Sequence, residues 1–380
     1  MKKGFILLLT ACLLLSQPVW ALEDTAEAGL SLPCEGAVLI ERSTKTVLYA
    51  KNADKELSPA SVTKVMTMLL VCEAIENGSI SLDDMVTASA RAASMGGSQI
   101  WLEEGERMSV AELLKCVAVV SANDCAVALA ELLCGSEEAF AARMNRRAGE
   151  LGLEHTHFAN CTGLSSAKPH YTSAYDMAVI SAELLRHECI RPYTCLWTDT
   201  IRDGKFALTN TNKLVRFYDG CTGLKTGFTN EAMFCLSASA ERDGTEYVAV
   251  ILHGQSSAER FDAARTLLDY AFANFAVAEL LPTEPLPALR VEKGKAESVP
   301  LAVSGETRRV LEKADLGAFR WETELPENLA APVEAGERVG TLQVYMEDAL
   351  LAELPLLAAE SVARRTAGDA LRELMQTLFG

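Results

Sequence analysis

A chain of 380 residues, 49% of them hydrophobic, is long enough for one large domain and a smaller one and has ample apolar material for a core. The formal net charge of -17 argues against nucleic acid as a partner, because a polyanion would be repelled, but leaves local membrane contact open.

Residues 1–21 read as a secretory signal: Lys2 and Lys3 form the charged start, Phe5 to Leu15 the apolar core, and Val19-Trp20-Ala21 a cleavage site. The apolar run is too short for a membrane span. Leu9-Thr10-Ala11-Cys12 resembles a lipoprotein processing site, but it sits inside the apolar core and would strand Leu13-Leu14-Leu15. Secretion favours disulfides. Yet Cys72, Cys116, Cys125 and Cys134 lie on apolar helical stretches, so the cysteines are expected mostly as free core thiols.

Gly36 to Ile40 and Thr46 to Ala50 are β-rich runs around Ser43-Thr44-Lys45 and predict an antiparallel hairpin. The stretch Ser58-Pro59-Ala60-Ser61-Val62-Thr63-Lys64 follows, with Ser58 expected as a helix N-cap and Pro59 as the first helical residue. The run Val65 to Cys72 is apolar on nearly all sides and predicts a buried helix ending at Gly78. Three residues apart on its first turn, Ser61 and Lys64 share a face. A buried lysine there can lose its proton near neutral pH and act as base for the serine. Alone, the pair reads as a capped helix with a solvated lysine.

Ser109-Val110-Ala111-Glu112 is a capping box that opens a helix through Val120. A break at Ser121-Ala122-Asn123 precedes a helix from about Asp124 to Gly135, and Ser136 caps a third that stops at Gly152. Ser121 and Asn123 therefore share a short loop. The hydroxyl can relay a proton and the amide can hold a substrate backbone and the lysine. Read alone, both are ordinary helix-break residues.

His155 and His157 are close together, but no carboxylate or thiol cluster completes a ligand set, so neither metal nor cofactor is expected. Gly223 to Phe228 predicts a strand, and Phe234 to Ala240 and Tyr247 to His253 a hairpin beside it. On that edge Lys225, Thr226 and Thr229 can bind a carboxylate, and Gly227 lets a substrate lie close to the backbone. Arg260 to Phe275 has helical period and should pack on the sheet. Pro282, Pro285 and Pro287 mark a linker, and the short β-like runs within 288–358 predict a small β-sandwich. In the tail, Leu371, Leu374, Met375, Leu378 and Phe379 share a helical face, with Arg364, Arg365 and Arg372 elsewhere.

Ser61-x-x-Lys64, then Ser121-x-Asn123, then Lys225-Thr226-Gly227 is the ordered three-part signature of penicillin-interacting serine enzymes. With Asn210-Thr211-Asn212-Lys213-Leu214 and Gly220 to Thr229, the chain resembles, over roughly residues 30–358, the low-molecular-mass penicillin-binding proteins that are serine-type D-alanyl-D-alanine carboxypeptidases. The resemblance implies a mixed α/β (α+β) penicillin-binding/β-lactamase-like catalytic domain with an antiparallel sheet flanked by helices, plus an all-helical region. It divides the chain into a signal at 1–21, a catalytic domain at 22–275, an accessory β-domain at 276–358 and an amphipathic helix at 359–380. It also implies roles. Lys64 takes the proton of Ser61, which attacks the penultimate D-alanine of a cell-wall stem peptide. Backbone N–H groups of Ser61 and Phe228 form the oxyanion hole, and Ser121 passes a proton to the leaving D-alanine. Asn123, Lys225, Thr226, Gly227, Phe228 and Thr229 line the substrate site, β-lactams acylate the same serine, and the tail touches the outer face of the cytoplasmic membrane. His170-Tyr171-Thr172 and Asp176-Met177 match family positions that are largely structural. One departure is Ala232-Met233-Phe234-Cys235, where the family commonly has glycine at the second position. The rival readings are a serine β-lactamase and a non-catalytic peptidoglycan- or β-lactam-binding protein. Against the first, no Glu-x-x-Leu-Asn run lies between Asn123 and Lys225, and β-lactamases lack an appended β-domain.

Overall fold

The computed structural model describes residues 29–164 and 168–379, so the leader expected at 1–21 lies outside the described residues. The expected hairpin is β1 (Gly36–Glu41) and β2 (Val47–Lys51). Far along the chain come β3 (Cys221–Thr229), β4 (Met233–Arg242) and β5 (Thr245–Gly254). They join into one antiparallel sheet of order β2-β1-β5-β4-β3, which leaves β3 at an edge.

Successive side chains of a strand point to opposite faces, and here both faces are covered. Val38 and Ile40 of β1 enter the larger core, while Ala37 and Leu39 enter the other. The second core is closed by the helix Ser257–Asn274 through Phe261, Ala264, Leu267 and Leu268. The first is closed by α1 (Lys64–Glu76), α2 (Val110–Val120), α3 (Asn123–Cys134), α4 (Glu137–Glu150) and α5 (Ala174–Leu184). Ten of the thirteen residues of α1 are buried, as an all-round apolar helix requires. At roughly 1.5–3 kcal/mol per buried large apolar side chain, this helix is anchored firmly at the domain centre.

The entry to α1 departs from expectation. Ser58 is not a cap: a 3-10 turn, Ala60–Thr63, precedes the helix, with Pro59 at its N-cap and no side-chain cap bond. A 3-10 turn has three residues per turn, so positions i and i+3 eclipse and Ser61 stacks on Lys64. Ala60 holds a left-handed φ of +47°, a strained conformation directly before Ser61. The capping box at Ser109 and Glu112 forms. Asn123 itself opens α3, one residue earlier than expected, because Asp124 looks elsewhere. The Asp124 carboxylate accepts the N–H groups of Ile100 and Leu102, both at 3.0 Å, and pins that loop beside the Ser121 break.

The strand Phe275–Glu279 follows the last catalytic-domain helix directly and pairs with Arg308–Glu312. Beyond it lies a small β-domain. Its larger sheet contains Leu301–Val303, Phe319–Glu324, Arg338–Met346 and Ala349–Ala358, around a core that includes Val299, Leu342, Val344 and Leu356. Bridges Val333–Val362 and Gly294–Arg364 tie the chain to this domain past residue 358, and the terminal helix begins only at Ala367. The ten described cysteines are all free and six are buried, in keeping with the reading of the cysteines as core thiols.

Candidate active site

The eclipsed pair meets as the spacing predicts. Lys64 Nζ donates to Ser61 Oγ at 3.0 Å and to the Thr162 carbonyl at 2.7 Å. Lys64 is fully buried, and burial pushes its pKa from 10.5 down to about 7, against the opposing influences of Cys161 and Asp124. Burial of this kind favours the neutral amine, the form able to take a proton from the hydroxyl 3.0 Å away.

Ser121 ends α2 in a left-handed conformation, φ +65°, which turns its side chain away from the helix track. Its Oγ is buried with no hydrogen-bond partner among the described residues, as is Oδ1 of Asn123. Both atoms therefore keep unused hydrogen-bonding capacity inside the site. The Asn123 amide does not reach the lysine as the sequence suggested: its Nδ2 donates to the Gly96 carbonyl at 2.7 Å. The carbonyl of Thr162 takes that place.

On β3, Lys225 is fully buried and its pKa is driven well down, first by burial and then by the positive charges of Lys64 and Arg260. Thr226 Oγ1 donates to Thr211 Oγ1 at 2.7 Å, and Asn212 Nδ2 donates to the Gly223 carbonyl at 2.9 Å, so the Asn210–Asn212 turn braces the strand. Thr229 Oγ1 accepts the Ala232 N–H at 3.0 Å and keeps its own proton to donate. Phe228 is 52% exposed at the rim, its ring 4.5 Å from that of Phe234. Met233 has φ +52°, which explains why this position favours glycine: the demand is on the backbone.

Gly227 has a use beyond the one expected. A Cβ there would stand 2.6 Å from the Pro59 carbonyl oxygen and 3.1 Å from Ser61 N. The space it leaves is filled by the chain's own 3-10 turn, which sets the Ser61 N–H one residue from Phe228 on the facing strand. Arg260 holds the strand from behind, donating to the carbonyls of Gly227 at 2.9 Å and Cys235 at 3.2 Å.

Further contributors stand behind the site, and Gly163 among them left no mark in the sequence. At Gly163, φ +78°, a Cβ would fall 1.8 Å from the Ala60 carbonyl oxygen, so the Thr162 turn fits against the nucleophile turn only as glycine. His170 Nδ1 accepts the Ala159 N–H at 3.0 Å, which leaves the proton on Nε2 to donate to Thr63 Oγ1 at 2.7 Å. Burial lowers its pKa to about 4, helped by His157 and Lys64, so it stays neutral and acts as a strut.

The comparisons with known proteins agree with this geometry. The family model for D-alanyl-D-alanine carboxypeptidase matches residues 23–256, and that for the penicillin-binding protein 5 C-terminal domain matches 284–364. The chain is 42% identical over 353 residues to D-alanyl-D-alanine carboxypeptidase DacF of Bacillus subtilis, covering 90% of each. It superposes on penicillin binding protein 5 of Haemophilus influenzae with TM-score 0.77 and 29% identity, covering 88% of this chain and 99% of that one. Penicillin-Binding Protein D2 of Listeria monocytogenes, solved in an ampicillin-bound form, matches with TM-score 0.59 and 30% identity over 64% of this chain and 98% of that one. The chain belongs to the D-alanyl-D-alanine carboxypeptidase family of low-molecular-mass penicillin-binding proteins, and its activity is that of a serine-type D-Ala-D-Ala carboxypeptidase.

Proposed function

We propose that Ser61 is the nucleophile and Lys64 its base in removing the terminal D-alanine from peptidoglycan stem peptides. The observation that carries this assignment is the contact of a fully buried lysine with a serine hydroxyl at 3.0 Å, with the lysine pKa near 7. Lys64 takes the Ser61 proton as Oγ attacks the carbonyl of the penultimate D-alanine. The N–H groups of Ser61 and Phe228 stabilise the oxyanion, each typically worth about 2.7–4 kcal/mol. Ser121, its Oγ unpaired and buried, gives a proton to the departing amine. Lys225, Thr226 and Thr229 hold the carboxylate of the leaving D-alanine, and the second N–H of the Asn123 amide holds the acyl side. Water then frees the enzyme. β-Lactams, which also present a carboxylate beside a strained amide, stop at the acyl stage. The test is D-alanine release from a diacetylated tripeptide ending in D-Ala-D-Ala, with mass detection of the acyl-enzyme. Release without any acyl adduct contradicts the reading.

The working place is the outer side of the cytoplasmic membrane, to which residues 1–21 direct the chain and the tail attaches it. Among the described residues no helix is long and apolar enough to cross a membrane. The helix Ala367–Phe379 instead exposes Leu371, Met375 and Leu378, each at least half bare; the side chains of Leu374 and Phe379 lie outside the described set. Such a face lies flat on a bilayer. A mature protein ending at Arg365 keeps the Val333–Val362 and Gly294–Arg364 bridges. It should lose binding to anionic vesicles and retain hydrolysis of soluble peptide. Full-length mature protein that fails to bind those vesicles rules out this attachment.

A further inference from the structure

The pairing of β4 with β5 breaks step beside the nucleophile turn. Phe234 stands opposite Gly254 and Leu236 opposite Ile251, so β5 carries an extra residue, a bulge, around His253. His253 sits there at φ +54°, a left-handed conformation uncommon for a residue with a Cβ. Its Nε2 donates to the Ser58 carbonyl at 3.2 Å and its Nδ1 to Glu35 Oε2 at 3.0 Å. Both partners can only accept. One is a backbone carbonyl, and the other is a carboxyl that Lys55, donating to Glu35 Oε1 at 2.7 Å, holds below its usual range. The ring that makes both bonds therefore carries both protons. The side chain of His253 is only 13% exposed, and none of the roles assigned above uses it.

Ser58 is where the nucleophile turn needs a hold. One residue earlier the chain is anchored, since Leu57 exchanges backbone hydrogen bonds with Thr172 at 2.9 and 3.0 Å. Two residues later Ala60 is strained at φ +47°, and such a conformation persists only where the surroundings over-determine it. Between them Pro59 has no N–H to tie the segment down, so the grip falls on carbonyls. The carbonyl of Pro59 accepts the Val62 N–H at 3.2 Å, within the turn itself. That of Ser58 is held from the sheet by His253, with the Cys235 thiol, a weaker donor, 3.7 Å away. The charge-assisted N–H of the ring is the stronger hold. Resting on the assignment of Ser61 as nucleophile, we infer that His253 is a positioning residue: it fixes the Ser58 carbonyl, and through it the place of the Ser61 hydroxyl and N–H, while Glu35 orients the ring.

The test compares two amides with the native ring. In His253→Gln the amide nitrogen reaches the place of Nε2 and can still donate to Ser58. In His253→Asn it reaches only the place of Nδ1 and cannot. For D-alanine release, kcat should fall about tenfold or more in His253→Asn with KM within about twofold, because the fault lies in placing the reacting atoms and not in binding. His253→Gln should keep kcat within about threefold of the native value. A merely structural role predicts the reverse order, since asparagine tolerates a positive φ better than glutamine. Native kcat in His253→Asn, or an equal or larger loss in His253→Gln, overturns the clamp. Ring-nitrogen NMR of the native enzyme with isotope-labelled histidine is a second readout that does not depend on a variant folding. Nε2 of His253 should carry a proton, and a bare Nε2 overturns the clamp. D-alanine release without an acyl adduct on Ser61 would instead overturn the nucleophile assignment, and this inference with it.

Discussion

Lys64→Met will slow acylation by penicillin roughly 10²–10⁴-fold, the usual contribution of a general base. Methionine fills most of the space of the fully buried lysine but has no basic nitrogen to accept the Ser61 proton. The pH profile carries a second signature. On the proposed mechanism the neutral amine is the active form, and burial lowers its pKa to about 7. The acylation rate should therefore rise with pH up to about 7, falling tenfold per unit below it. Lys225 must be protonated to hold a carboxylate, and burial with its cationic neighbours pulls its pKa down. The rate should fall again on the alkaline side, below the range of an ordinary lysine. The two lysines influence one another, so both limbs belong to the pair. Lys64→Met should lose the acid limb. Stopped-flow acylation by a fluorescent penicillin reads both effects, and a variant that acylates at the native rate removes Lys64 from the mechanism.

Gly227→Ala will cost roughly 10²–10³-fold in kcat, the loss associated with one displaced oxyanion donor. The added Cβ would sit 2.6 Å from the Pro59 carbonyl oxygen, a backbone atom that cannot swing aside. Either β3 or the 3-10 turn must move, and the N–H groups of Ser61 and Phe228 then diverge. Because the fault is in transition-state geometry, kcat should fall more than KM rises. Arg260 ties the Gly227 carbonyl from the other side, so the strand cannot relax freely, and the unfolding temperature should drop by several degrees. Steady-state kinetics with thermal unfolding measure both. Native kcat in this variant would mean that strand and turn are not the two sides of the hole.

The parts of the site that the sequence made legible are those written in side chains. Ser61, Lys64, Ser121, Asn123 and Lys225 are the residues proposed to carry the chemistry, and their order and the helix breaks around them are visible in the sequence. The hairpin, the capping box at Ser109 and the closing helix followed from period and capping, as did the buried α1. What stayed hidden depends on backbone atoms. The Thr162 carbonyl that holds Lys64 has no residue-type signature, since any residue has a carbonyl. Gly163 gave no signal and Gly227 read only as room for a substrate, and only the fold reveals that Ala60 and Pro59 press against them. Ser58 misled for the same reason: Ser-Pro favours a capped helix start locally, but the left-handed Ala60 and the 3-10 turn override it. Met233 shows the converse, a departure from a commoner glycine where the requirement is a positive φ.

The most direct measurement is peptide mapping of the enzyme after brief exposure to penicillin, by mass spectrometry of a protease digest. The account predicts one penicilloyl adduct, on the peptide that contains Ser61, and none in Ser61→Ala, which should also release no D-alanine. An adduct on any other residue, or D-alanine release that survives Ser61→Ala, would contradict it.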